Sequence, residues 1–352
     1  MRCIVAAPLL VLLVLMLGCG APAQPAAPTI PTACKKGDVP GCTALCDKGD
    51  AHACGAVGFS YAEGVGVAVD IEEARGFYRR GCDGGDALSC NDLGALLRKG
   101  ERVPRDLPGA VAAYQKGCDG GVAKACASLG TFHLTGEGGL TPDPARALAA
   151  FVKACDANDP TGCSNLGMLH GTGRGVPQDI AKAMKLFERG CDGGAGIGCA
   201  NLGQGYEKGA LGVPDLALAA TFYERGCDAG SADGCAWLAG LLNQGRGVPR
   251  DPGRALGLIE KACDLGGLDA CSDLGLALLL GDGLVADPPR GLRALQRSCG
   301  AGGGRSCGNL AVLYLEGKAV LRNEVLGLTF LKQACELGDA RSCEGLARLR
   351  GR

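Results

Sequence analysis

The spacing of the cysteines constrains this chain more than any other feature of its sequence. They fall in pairs eight positions apart: Cys46 with Cys54, Cys82 with Cys90, Cys118 with Cys126, Cys155 with Cys163, Cys191 with Cys199, Cys227 with Cys235, Cys263 with Cys271, Cys299 with Cys307 and Cys335 with Cys343. The pairs recur every 36 residues, with one step of 37. A constant period of that length marks a repeat array, in which one supersecondary unit recurs and each copy packs only on its neighbours. A tenth pair, Cys34 with Cys42, lies only twelve residues ahead of the Cys46 pair and belongs to a truncated unit at 34–54. Eight whole units then occupy 51–339, and 340–352 reads as a capping helix.

The other positions keep the same register. Three residues after the second cysteine stands Leu (Leu93, Leu129, Leu166, Leu202, Leu238, Leu274, Leu310), followed by a small residue (Gly94, Gly130, Gly167, Gly203, Ala239, Gly275, Ala311) that admits a close neighbouring helix. Glycine at 64, 100, 136, 173, 209, 245, 281 and 317 suits the left-handed residue that closes a first helix. Twelve residues ahead of each first cysteine comes Asp70, Asp106, Asp143, Asp179, Asp215, Asp251, Asp287 or Asn323, whose side chain accepts from the orphan amides of a second helix. Eight residues after that cap stands Tyr78, Tyr114, Phe151, Phe187, Tyr223, Ile259, Leu295 or Leu331, on the same buried face as the Ala or Gly four residues earlier. Each unit is thus an αα-hairpin that buries its apolar stripe only by stacking. With no sustained alternation of period two, the chain is expected to be all-α, a right-handed superhelical solenoid.

Composition agrees with that architecture. Only 4% of the 352 residues are aromatic, 61 are glycine, and 47% are hydrophobic. This is too apolar for disorder and too poor in rings for two or three unrelated globular cores, but enough for a core spread over repeat interfaces. The 36 Lys and Arg nearly balance 37 Asp and Glu, so the basic footprint of a nucleic-acid binder is missing and no such partner is expected.

At the N-terminus, Arg2 and the apolar run 4–17 have the form of a secretory signal and are short for a bilayer-spanning helix. The string Leu15-Met16-Leu17-Gly18-Cys19 resembles the lipobox of bacterial lipoproteins, which implies removal of 1–18 and acylation of Cys19. In 19–33, Pro22, Pro25, Pro28 and Pro31 recur every third residue along one edge of a polyproline II helix and read as a tether. The expectation is an exported lipoprotein of the outer membrane, facing the periplasm or the cell surface, whose only membrane contact is the lipid. In an exported chain the regular cysteine pairs read as disulfides. Cys42 and Cys46 are only four apart, so the sequence leaves the pairing among Cys34, Cys42, Cys46 and Cys54 open. There is no Cys-x-x-Cys, and the spacing does not suit zinc, so no metal and no cofactor are expected.

The segment from Cys90 to Cys118, CNDLGALLRKGERVPRDLPGAVAAYQKGC, resembles the Sel1-like repeat, a relative of the tetratricopeptide repeat. With its cysteine pairs, the chain over about 34–350 is similar to the disulfide-linked subgroup typified by the Helicobacter cysteine-rich proteins. That resemblance implies the helical-repeat fold and, as an alternative function, the weak penicillin binding and β-lactamase activity associated with that subgroup. The residues do not carry the alternative. None of the nine serines has Lys three residues later, no Lys-Thr-Gly occurs, and His52, His133 and His170 form no His-x-His. His133 and His170 share a slot seven residues after the second cysteine, where other units have Tyr or Leu. A paired site across repeats and plain helix packing both fit, and packing is the simpler reading. The stretch Gly58-Phe59-Ser60 approaches a nucleophile elbow but falls inside a first helix, and GTGRGV at 171–176 is the turn between helices.

Two residues after the second cysteine stand Asp92, Ser128, Asn165, Asn201, Trp237, Asp273 and Asn309, with Ala56 in the first unit. Arrays of this kind line a concave surface with their first helices. A row of amides there can pair with the backbone of an extended peptide, and Trp237 offers an apolar anchor. Lys99, Thr135, Thr172, Lys208 and Gln244 lie further along the same helices. The function expected is a non-catalytic cell-envelope scaffold that binds a peptide, a protein or a peptidoglycan fragment along this ladder.

Overall fold

The computed structural model of the chain describes residues 34–350 apart from 36, 101 and 282–285. The signal segment, Cys19 and the proline tether of 1–33 lie outside the described residues. The chain enters the array through α1 (Val39–Asp47), α2 (Ala51–Glu63), α3 (Ile71–Asp83), α4 (Ala87–Lys99), α5 (Leu107–Asp119) and α6 (Ala123–Thr135). Then come α7 (Pro144–Asp156), α8 (Pro160–Thr172), α9 (Ile180–Asp192), α10 (Gly196–Lys208), α11 (Leu216–Asp228) and α12 (Ala232–Gln244). The array finishes with α13 (Pro252–Asp264), α14 (Leu268–Leu280), α15 (Pro288–Gly300), α16 (Gly304–Glu316), α17 (Glu324–Glu336) and α18 (Ala340–Arg350). No strand occurs among the described residues. Each repeat pairs an even-numbered helix with the odd-numbered helix after it, from α2/α3 to α16/α17.

Local rules set the helix ends. Every even helix from α2 to α16 stops on its glycine, with φ between +65° and +78°, a region where a side chain is strained. Every odd helix from α3 to α17 starts on its Asp or Asn; Asp70 accepts from the amides of Glu72 and Glu73 at 3.0 and 3.1 Å. The cap's own amide donates back to the even helix, to the carbonyl seven residues after the second cysteine. This bond measures 2.7 to 3.0 Å in all eight repeats, from Asp70 to Tyr61 through Asn323 to Tyr314. It occupies a carbonyl left without a partner by the end of the helix and fixes the angle of each hairpin. The single 37-residue step lies in the third repeat, where Gly136 and Asp143 are separated by a short 3-10 turn, Glu137–Gly139.

Packing within each hairpin follows a ring-and-gap rule. Tyr78, Tyr114, Phe151, Phe187 and Tyr223 press their rings onto Gly58, Gly94, Gly130, Gly167 and Gly203, where an added Cβ would come within 2.5 to 2.9 Å of the ring. In the last three repeats the pairs are Ile259 with Ala239, Leu295 with Gly275 and Leu331 with Ala311.

Ten disulfides join the cysteines in their sequence pairs, with Cα atoms 4.4 to 4.8 Å apart. Nine of them tie the end of one odd helix to the next even helix and so span the repeat junctions. Cys46 is bonded to Cys54, Cys82 to Cys90, Cys118 to Cys126, Cys155 to Cys163 and Cys191 to Cys199. Further along, Cys227 is bonded to Cys235, Cys263 to Cys271, Cys299 to Cys307 and Cys335 to Cys343. At the N-terminal end, where the sequence leaves alternatives, Cys34 is bonded to Cys42. Cys42 precedes Cys46 by four residues, as Tyr78 precedes Cys82, so this bridge stands where a ring stands elsewhere, packed with Val39 and Val57. A loop of this length is worth somewhat under about 3 kcal/mol per bridge in the chain-entropy account. Exposed ion pairs run between successive odd helices, among them Arg80–Asp47 and Lys116–Asp83 at 2.8 Å and Arg225–Asp192 at 2.9 Å. Pairs so exposed contribute about 0–1 kcal/mol each.

Candidate concave binding face

Successive even helices touch along most of the array, whereas successive odd helices barely do, so the stack curves with the even helices inside. The ladder residues therefore sit on the concave side. The even helices draw apart at two places, α12 from α14 and α16 from α18, and a cavity opens at each. The first, about 320 Å³, is lined by Ala239, Gly240, Ile259, Asp273, Leu274 and Ala277, among others. The second, about 870 Å³, includes Asn309, Val312 and Leu331, with Arg305, Arg341 and Arg348 around it.

The ladder divides into residues held by the protein and residues left to a partner. The Asn91 amide donates to Asp92 at 3.0 Å, and burial keeps the Asp92 carboxyl above the usual carboxylate range. Ser128 hydrogen-bonds the Tyr114 hydroxyl. The Asn309 amide donates to the Ser272 hydroxyl at 2.8 Å, and Asp273 is bound by Arg305. Trp237 is half-buried and packs against Tyr223 with ring centroids 5.4 Å apart, so one side of the indole belongs to the core. Asn165 and Asn201 differ from all of these. Both are half-buried on adjacent concave helices, and neither side chain hydrogen-bonds a protein group among the described residues.

The candidates for chemistry fall into packing roles. His133 and His170 are only 7% and 8% exposed. They occupy the slot in which Tyr61, Tyr206 and Tyr314 stack on Phe77, Phe222 and Phe330 at 5.4 to 5.8 Å. Burial holds both imidazoles below the usual histidine range, helped by Arg146 at His133 and Lys182 at His170 and opposed by Asp143 and Asp179. Ser60 lies inside α2 and its hydroxyl donates to the Ala56 carbonyl at 3.0 Å. No group of three or more metal-ligating side chains occurs among the described residues.

Two further features carry a sequence signal that the cysteine register alone does not bring out. Tyr and Phe sixteen residues apart recur in the three repeats that stack them. Gly240 is the one glycine five residues after a second cysteine, where the other repeats carry Phe59, Ala95, Thr131, Met168, Gln204, Leu276 and Val312.

The Sel1 repeat model matches eight consecutive segments, 51–86, 87–122, 123–159, 160–194, 196–231, 232–267, 268–302 and 304–339. Among solved structures, the chain is similar to c5321, a protective antigen with an SLR fold from uropathogenic Escherichia coli. Identity is 26% over 89% of this chain and 67% of that one, with a TM-score of 0.55. It also resembles a Sel1 repeat protein from Oxalobacter formigenes, 21% identical over 88% of this chain and 89% of that one, TM-score 0.55. Cysteine-rich protein B of Helicobacter pylori is 33% identical over 37% of this chain and 92% of that one, with a TM-score of 0.32. No curated protein matches significantly.

Proposed function

The chain belongs to the Sel1 repeat family, and from that premise we propose that it is a non-catalytic scaffold that holds an extended segment of a partner protein along its concave face. Sel1 repeats usually mediate protein–protein interaction. The observation that carries the reading is the pair Asn165 and Asn201, two half-buried amides on neighbouring concave helices with no protein partner among the described residues. Each of these amides is open to solvent and offers both a donor and an acceptor, which the backbone of an extended peptide can engage. The junction disulfides hold the even helices at fixed spacing, so the face is ordered before binding and less entropy is lost on capture.

Ten disulfides fit an oxidising compartment outside the cytoplasm, and no helix among the described residues is long and apolar enough to cross a membrane. The lipobox-like string ending at Cys19 and the proline-rich 19–33 support a lipid-anchored scaffold standing off the outer membrane. Replacing Asn165 and Asn201 together with Ala should reduce capture of the envelope partner in a pull-down while leaving Tm within about 2 °C of wild type; a single exposed-face substitution rarely exceeds about ±0.5 kcal/mol. Equal capture by variant and wild type removes the amides from the site. Turnover of a chromogenic cephalosporin above that of heat-denatured protein would contradict the absence of catalysis.

A further inference from the structure

We propose that the cavity between α12 and α14 is a specificity pocket for a bulky apolar side chain of the bound polypeptide, with a lysine or arginine beside it held by the carboxylates at the mouth. This deepens the concave-face reading and rests on it.

The cavity is built by size reductions at three slots that are filled elsewhere in the same chain. Ile259 stands in the slot that holds a ring in each of the first five repeats. Ala277 stands six residues after a second cysteine, where five other repeats carry Leu96, Phe132, Leu169, Leu241 and Leu313. Gly240 replaces a side chain found in every other repeat. A glycine inside a helix costs about 1 kcal/mol against alanine, and nothing in the protein requires this one, because a Cβ there would meet no atom within 4 Å. The rings of the first five repeats, by contrast, forbid a Cβ on their glycines. The space of about 320 Å³ lies in the range of ligand pockets. One repeat earlier the corresponding groove is closed by Trp237 on Tyr223; here the ladder slot is Asp273.

Charge selects the neighbour of the apolar residue. Asp233 lies on the face of α12 that carries Gly240, and Asp269 and Asp273 lie one turn apart on α14. Arg305 of α16 binds Asp273 through Oδ1 and stands 3.6 Å from Asp269 Oδ1. One guanidinium thus answers two carboxylates of α14, and the exposed Asp233 adds a further negative charge on the α12 side.

The test uses fluorescein-labelled octapeptides of Ser and Ala with a central Phe-Lys, Phe-Glu or Ala-Lys, read by fluorescence polarisation. The full disulfide-bonded protein should bind the Phe-Lys peptide at least tenfold more tightly than the other two. Gly240→Leu grows into the cavity from a position where its Cβ meets nothing, should hold or raise Tm through its better helix propensity, and should weaken Phe-Lys binding at least tenfold. Asp273→Asn should narrow the preference for Phe-Lys over Phe-Glu. Unchanged binding by Gly240→Leu, equal affinity for the three peptides, or no binding of any of them overturns the pocket. Binding that ignores Gly240→Leu but is lost in the Asn165→Ala/Asn201→Ala double variant overturns the pocket and leaves the concave-face reading standing.

Discussion

The first five repeats and the last three solve the same packing problem in different ways. In the first five a rigid ring enters a gap that only glycine leaves, and in the last three an aliphatic side chain faces Ala or Gly. A ring against a glycine has one fit, so those hairpins are closed to change. Aliphatic side chains can shift rotamer, and the space they leave is not uniformly filled. The cavities of about 320 and 870 Å³ described above both lie in the aliphatic region. One repeat thus carries two packings, a ring-locked block and an aliphatic block in which both of these concave cavities open.

Reduction of the bridges should have the largest effect on this comparison. With all ten disulfides opened, each junction loses up to about 3 kcal/mol, and Tm should fall further than for any single substitution. Hydrogen exchange under partial reduction should rise first in α12 to α17 and last in α4 to α11. Simultaneous loss along the whole array would show that the two blocks do not differ in stability.

The next effect sharpens the contrast at single residues. Gly130→Ala forces a Cβ to 2.5 Å from the Phe151 ring, and overpacking of this kind costs about 1–3 kcal/mol. Gly240→Ala, in the aliphatic block, places its Cβ where no atom lies within 4 Å, and alanine is the better helix former by about 1 kcal/mol. Denaturant unfolding should therefore find the first variant destabilised and the second at or above wild type. Equal losses would mean that the ring is not what makes the glycine necessary.

A smaller effect lies within the ring-locked block, where His133 and His170 replace the stacked Tyr or the Leu of other repeats. Both are buried with their pKa lowered, chiefly by burial. The unfolded chain therefore takes up protons first as pH falls through about 6.5, the ordinary histidine value. The stability of the buried neutral rings is present above that pH and is lost as pH falls through it. Tm should decline from about pH 7.5 to about pH 5.5, and the double variant His133→Leu/His170→Leu, which borrows the residue of Leu97 and Leu242, should flatten that decline. An unchanged slope in the double variant would assign the decline to other groups.

Much of the fold was legible because local rules write it. Asp70 and its equivalents cap helices by hydrogen bonds within three residues, and Gly64 and its equivalents close them by backbone conformation alone. The pairing at the N-terminal end was not legible, because it depends on Cys42 taking a slot that elsewhere holds a ring. The ladder was legible as a row but not as a set of free groups. Asn309 is spent on Ser272 of the previous repeat and Trp237 on Tyr223, while Asp273 has to share Arg305 of the next repeat with Asp269. Except for Tyr223, those partners lie about a repeat away in sequence and close in space, so only the curvature of the stack reveals which side chains remain for a ligand.

The central claim, that the concave face is the working surface, is tested most directly by photo-crosslinking in the producing cell. A benzophenone amino acid replaces Asn201 on the concave side or, as the control, Glu188 on the outer side of α9. Irradiation should yield a discrete adduct, identifiable by mass spectrometry, from position 201 and none from position 188. An adduct from 188 with none from 201 would contradict the claim.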